Sequence, residues 1–154
     1  MIYSVDNKSY VFAVEKVTDI LDELKPMLAE HHDEIQIFKL PFNPDYERYL
    51  YLDSVESLIT MSIRLENRLV GYAVFFLNSQ IYQKDVISAT QSLNFVDKGH
   101  RGIGYQFMKF CDDILEKRGV NSIWRHTPIC FDAGKVFNRM GYTLMEKTYL
   151  KEFL

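Results

Sequence analysis

No stretch of this chain carries the roughly 18–20 consecutive apolar residues that a bilayer-spanning helix requires. Its first ten residues, Met1 to Tyr10, are polar and lack the basic-then-apolar order of a secretory leader, so a cytoplasmic protein is expected. Cysteine is scarce, with only Cys111 and Cys130. One falls in a helical pattern and the other in a loop, which argues against a disulfide scaffold and predicts reduced thiols. Positive charge is not in excess either: 18 Lys and Arg face 21 Asp and Glu, a formal net charge of −3. Nucleic-acid domains usually carry a basic stripe, so nucleic acid is disfavoured as a partner. Nor is there a Ser/Gly/Pro-rich linker, an internal repeat or a low-complexity tract. Residues 1–154 therefore read as one domain, long enough to bury a core without metal or disulfide staples.

What is abundant is apolar and aromatic residues in alternating helix and strand patterns, including 11 Phe and 10 Tyr. Tyr10–Val14 predicts a short strand. Ile20, Leu21, Leu24, Met27 and Leu28 recur at helical spacing behind Thr18 as a possible N-cap, with Pro26 expected to kink or break the helix. The polar stretch from Glu30 to Glu34 reads as a solvated helix end. Pro44 predicts the start of a second helix, capped by Asn43 and carrying Tyr46, Tyr49, Leu50 and Leu52. Leu58–Leu65 and Leu69–Leu77 predict a hairpin turning at Glu66-Asn67-Arg68. A strand over about Val86–Val96 runs into glycines, and Ile103, Phe107, Met108, Cys111, Ile114 and Leu115 mark a helix that Gly119 stops. Strands at 122–126 and 142–150 flank a short helix over 133–140. The order β-α-α-β-β-β-α-β-α-β predicts a mixed sheet with helices packed on it.

The chemistry-bearing segment is Gly99-His100-Arg101-Gly102-Ile103-Gly104. Three glycines in six residues let backbone N–H groups approach a ligand closely, and the helix behind them presents its positive dipole end. This combination predicts an anion pocket, most simply for phosphate. No Lys-[Ser/Thr] pair follows, which excludes a P-loop nucleotidase. The frame starting at Gly102 puts Phe107 where a dinucleotide fold needs its third glycine, and the unit lies late in the chain.

Gly102-Ile103-Gly104 instead resembles the acyl-CoA pyrophosphate loop of the GNAT superfamily of acyl-CoA-dependent N-acyltransferases, which reads [Arg/Gln]-x-x-Gly-x-[Gly/Ala]. Phe107 through Val120 resembles that family's CoA-binding helix. Val136-Phe137-Asn138-Arg139-Met140-Gly141-Tyr142 resembles its Leu-Tyr-x-x-x-Gly-Phe segment. The ending, Glu146 to Lys151, is similar to that of small GNAT proteins often encoded by bacteriophages, for which the setting would be the host cytoplasm. The resemblance covers about residues 58–154. It implies an α/β fold with a mixed, mostly antiparallel sheet of six to seven strands, about four flanking helices and a V-shaped split between the fourth and fifth predicted strands. It also implies acetyl-CoA as co-substrate, an amine acceptor and transfer of the acetyl group to that amine. Two positions depart from the family pattern: Gly99 stands where Arg or Gln is usual, leaving Arg101 to substitute, and Phe137 stands where many relatives carry a proton-donating Tyr.

By the same resemblance, Leu93, Asn94 and Phe95 would line the pantetheine arm. A main-chain amide at 93 or 95 would face the thioester oxygen. Gly99, His100, Arg101, Gly102, Ile103, Gly104 and Tyr105 would surround the diphosphate, with Phe137 beside the thiol. The acceptor amine, with a pKa near 10.4, must lose a proton before it attacks. The strand over Val86–Val96 has no carboxylate, so His32, Glu34 and His126 are the candidate bases, and Ser92 is a holder of water. Against these stand structural readings: a solvated helix end for His32 and Glu34, and a loop-bonded histidine for His126. No third ligand is spaced to join His31 and His32, so no metal is expected. Phe107, Phe110, Tyr105 and Trp124 read as packing, while Tyr46, Tyr49 and Tyr51 read as packing or as stacking on the acceptor. Exposed aromatic edges point toward a homodimer. A non-catalytic acyl-CoA-binding module and a protein-interaction module are the alternative functions.

Overall fold

A computed structural model describes residues 1–35 and 39–153. The chain opens with a hairpin of which only the strand at Tyr10–Val14 was expected from sequence: β1 (Ile2–Val5) turns back into β2 (Lys8–Val14). The turn is made by Asp6 and Asn7 at φ 48° and 61°, a left-handed pair that suits the twist of a tight hairpin. Asn and Asp tolerate that region, which is the signal the alternation-based reading passed over.

Helix α1 (Val17–Ile35) runs unbroken through Pro26 and takes in the polar stretch after it. Its buried positions Leu24, Met27, Leu28 and His31 keep helical spacing across the proline, so tertiary packing overrides the missing N–H. The α1 N-terminus is capped from a distance. Asp53, 4% exposed, accepts the Val17 N–H at 3.2 Å, while Thr18 bonds only its neighbour Asp19. Helix α2 (Tyr46–Ser54) starts behind Asp45, whose Oδ1 accepts the Arg48 N–H at 2.9 Å, rather than behind Asn43.

The hairpin of β3 (Leu58–Leu65) and β4 (Arg68–Gln80) matches its prediction, with Glu66 and Asn67 at φ 50° and 67° forming the turn. Then follow β5 (Gln83–Val96), a 3₁₀ turn (Lys98–Ile103), α3 (Gly104–Lys117), β6 (Ser122–Trp124), a second 3₁₀ turn (Ile129–Phe131) and α4 (Gly134–Arg139). The six strands lie in sequence order, antiparallel throughout except for the parallel pair β5–β6. The predicted last strand over 142–150 joins no ladder. Leu144, Met145, Tyr149 and Leu150 are 63–89% exposed, because a segment that pairs with no strand has no sheet face on which to bury them. The sheet reaches six strands through the N-terminal hairpin instead.

Side chains alternate across the sheet into two cores. Phe12, Met61, Ile63 and Phe75 pack on Phe107, Phe110 and Leu115 of α3. On the opposite face Leu58, Tyr72, Val74 and Phe95 pack on Val17, Leu24 and Leu28 of α1. Each such side chain contributes about 1.5–3 kcal/mol by leaving water. Cys111 sits fully buried in the first core, and burial pushes its thiol up to about 12, which makes it an inert packing residue.

Candidate active site

The sheet parts at one place. Strands β5 and β6 pair only over Ser88–Thr90 with Ser122–Trp124, and Ser88 and Ser122 join hydroxyls at 2.8 Å. Beyond Thr90 the ladder stops, so the expected split lies between β5 and β6. On the other side of β5 the register with β4 slips: Val74 faces Leu93 and Phe75 faces Gln91, leaving Ser92 without a partner. A bulge of this kind bends a strand and re-aims the residues beyond it. Leu93 and Phe95 then turn to the α1 face. Asn94 keeps a buried Oδ1 with no hydrogen-bond partner.

Where β5 ends, the glycine segment is a 3₁₀ turn rather than an open loop. Asp97 caps it, accepting the Gly99 N–H at 3.5 Å, and the Gly104 N–H bonds the Arg101 carbonyl. The amides of Gly99, His100 and Gly104 are therefore engaged within the turn rather than left free as the motif implied. The physical reason is local: a carboxylate at the N-cap position satisfies the first amides, and three glycines impose no conformation of their own. Yet the glycines are not explained by the fold. Gly119 and Gly141 have φ of +80° and +90°, which favours glycine, whereas Gly99, Gly102 and Gly104 have no such φ. A Cβ built on any of these three meets no atom within 4 Å. The bend is open to an incoming group.

Arg101, read as a phosphate ligand, is engaged. It forms an ion pair with Glu34 at the end of α1, its Nε donates to the Val96 carbonyl at 3.3 Å, and its guanidinium lies 5.8 Å from the centre of the Phe131 ring. Cys130 Sγ lies 3.8 Å from the Ile35 carbonyl, so the loop after β6 reaches the end of α1 here. Glu34 is not a solvated helix end: its side chain is 10% exposed, and Oε2 is buried without a partner. His100 is also held, with Nδ1 3.0 Å from the Tyr10 hydroxyl.

The remaining predicted residues are spread along the rims. His32 tilts over Phe42 at 4.9 Å between ring centres. Ser92 is exposed at the bulge, Tyr105 stands at the edge of exposure, and Ile103 is 1% exposed in the α3 core. His126 is exposed on the β6 side, and its carbonyl accepts the Gln91 amide at 3.2 Å. Phe137 is half-buried, 5.7 Å from Tyr142. The structure brings Glu34 and Arg101 into direct contact. It places His32 and His126 on different elements.

Three polar residues that sequence reasoning did not place in the site stand out, and one of them, His31, is not the solvated residue expected there. His31 is 9% exposed, stacks on Phe95 at 4.9 Å and bonds the Tyr72 hydroxyl through Nδ1 at 2.8 Å. Burial pushes the His31 imidazole down to about 4, outweighing the carboxylate of Glu34, so it is neutral near pH 7. Its position four after Met27 and seven after Leu24, on the apolar stripe, was the available signal. Arg125, with a 1% exposed side chain, donates to Asp112 at 2.5 Å, Gln91 Oε1 at 2.6 Å, the Met108 carbonyl at 3.2 Å and the Tyr142 hydroxyl at 2.9 Å. Burial pushes the Tyr142 hydroxyl up to about 12, and it donates to Asp112 at 2.8 Å.

No family model matches this sequence, and no curated protein does. Solved structures do match in fold. A ribosomal-protein-alanine N-acetyltransferase from Brucella melitensis biovar Abortus 2308 is 18% identical, with a TM-score of 0.70 over 94% of this chain and 99% of the other. An aminoglycoside acetyltransferase from an uncultured soil metagenomic sample, in complex with trehalose, is 18% identical with a TM-score of 0.70 over 98% of both chains. A predicted acetyltransferase from Clostridium acetobutylicum, solved with acetyl-CoA, is 11% identical with a TM-score of 0.70 over 93% of this chain and 96% of its own. The shared architecture is the GNAT fold, as the glycine and Phe107–Val120 segments implied.

Proposed function

We propose that this chain is an N-acetyltransferase that moves an acetyl group from acetyl-CoA to a primary amine by direct transfer. The observation that carries this reading is the conjunction of a parted β5–β6 pair with three glycines that the fold itself does not require. Close approach of a ligand is the remaining physical reason for glycine at such positions. Acetyl-CoA supplies the acyl group as a thioester. Leu93, Asn94 and Phe95 would hold its arm, and Gly99, His100, Arg101, Gly102, Ile103, Gly104 and Tyr105 its diphosphate. A main-chain N–H at Leu93 or Phe95 would stabilise charge on the thioester oxygen.

Arg101 cannot serve a phosphate and Glu34 at once. In our reading the diphosphate draws Arg101 away, and Glu34 is left as a carboxylate with two unpaired oxygens beside the acceptor. Glu34 then takes the amine's proton, directly or through water held by Ser92, His32 or His126. Phe137 supplies no proton to the departing thiol. A thiol pKa of about 8–9 lets the group leave as thiolate without a dedicated acid.

Ribosomal-protein alanine and aminoglycosides are the acceptors named for two proteins of this fold. For this chain the acceptor is proposed at the level of a primary amine. We place the protein in the cytoplasm, acting as one unit over residues 1–154. Among the described residues no helix is long and apolar enough to cross a membrane. A non-catalytic acyl-CoA-binding or protein-interaction role is the second reading, favoured by Phe137 and by the engaged Arg101. Calorimetry with acetyl-CoA and mass spectrometry of an amine panel separate the two. Glu34→Gln should leave acetyl-CoA binding intact and lower turnover by about 100-fold or more, the usual worth of a general base. Absence of acetyl-CoA binding by the intact chain sinks the proposal.

A further inference from the structure

We infer that Gln91 is a positioning residue that props the β5–β6 cleft open. Strand pairing ends at Thr90 and Trp124, and the next residue on β5 is Gln91, 7% exposed. Its side chain spans the gap where a further rung would form. Nε2 donates to the His126 carbonyl at 3.2 Å, and Oε1 accepts from Arg125 Nη1 at 2.6 Å. The amide's orientation is fixed by chemistry, because a guanidinium only donates and a carbonyl only accepts. In a parallel ladder, the carbonyls of one strand are met by main-chain N–H groups of the next. Here a side-chain amide occupies the His126 carbonyl, so β6 has no reason to close further onto β5.

The prop rests on a rigid base. Arg125 is tied to the Met108 carbonyl and Asp112 of α3 and to the Tyr142 hydroxyl, and its guanidinium lies 5.3 Å from the centre of Phe75. Helix α3 thereby fixes Arg125, Arg125 fixes the Gln91 amide, and the amide fixes the lip of β6. The bulge at Ser92 interrupts the register with β4 on the strand's other edge, at the residue following the prop. Two adjacent positions on β5 thus act on opposite edges of the same strand. Gln91 need not touch any ligand; it would act on acyl-CoA through the width of the cleft, a consequence that rests on the function proposed above.

The test is Gln91→Ala in the full chain. Backbone amide hydrogen exchange at residues 125–127 reports whether β6 zips onto β5, and calorimetry reports acetyl-CoA binding. Exchange should slow by about tenfold or more as the ladder extends, since new main-chain hydrogen bonds must open before exchange occurs. Acetyl-CoA should bind about tenfold more weakly, because that bonding has to be undone on entry. Gln91→Met, which keeps the volume and loses both hydrogen bonds, should behave like Gln91→Ala and serves if the alanine variant does not fold. Unchanged exchange in the folded variants overturns the inference whatever acetyl-CoA does. Slowed exchange in a protein whose parent binds no acetyl-CoA upholds the prop and removes the acyl-CoA reading.

Discussion

Acid should unfold this protein partly through His31, and the size of that effect follows from where the ring sits. In the folded chain the imidazole lies between Phe95 and Tyr72 with burial holding its pKa near 4, while in the unfolded chain it returns to about 6.5. The folded state therefore prefers neutral His31 and the unfolded state binds the proton first. Stability from this group is complete above pH 6.5, declines as pH falls through the window, and is gone below about 4. The gap between the two values corresponds to about 3 kcal/mol, lost at up to about 1.4 kcal/mol per pH unit. Urea denaturation at pH 7, 6, 5 and 4 measures it. Acid acts on the rest of the protein as well, so the informative quantity is the difference between the parent and His31→Gln. Gln keeps a hydrogen-bonding group for the Tyr72 hydroxyl and does not titrate. The variant should lose some stability at pH 7 and show a flatter acid slope, with its deficit shrinking or reversing by pH 4. Parallel curves for the two proteins would refute the account of His31 as a buried neutral base.

Gly102→Glu should fold with an unfolding midpoint close to the parent's, since a Cβ there meets open space, and should abolish acetyl-CoA binding measured by calorimetry. Retained affinity would displace the diphosphate from this bend. Arg125→Met should cost about 3–5 kcal/mol in urea unfolding, because Asp112 loses its cationic partner, keeping only the Tyr142 hydroxyl, while Gln91 Oε1 loses its donor at the same time. A loss under 1 kcal/mol would show that this network is solvated. Phe137→Tyr should raise turnover while leaving the acetyl-CoA dissociation constant within about twofold, since the hydroxyl acts on the departing thiol and general acids contribute rate. Turnover that stays level would mean that thiol departure does not limit the reaction.

Much of this protein is legible in one dimension wherever local chemistry and tertiary packing agree. The β3–β4 hairpin, the amphipathic helix ending before Gly119 and the strand leading into the glycines follow from alternation, 3.6-residue spacing and a left-handed stop. The glycine triplet was readable because its spacing has a steric meaning regardless of fold. What the sequence alone could not settle is which charges meet. Glu34 and Arg101 are 67 residues apart, and only the packing of α1 against the end of β5 joins them, converting a solvated helix end into a largely buried carboxylate paired with an exposed arginine. His31 becomes neutral because Tyr72 and Phe95 arrive from two strands, and α1 passes Pro26 because its apolar stripe is gripped on both sides. The split itself depends on a side chain, Gln91, meeting a carbonyl 35 residues away. Propensity and periodicity act between near neighbours in the chain, whereas desolvation and charge pairing act between near neighbours in space; the first set the elements here, and the second set the site.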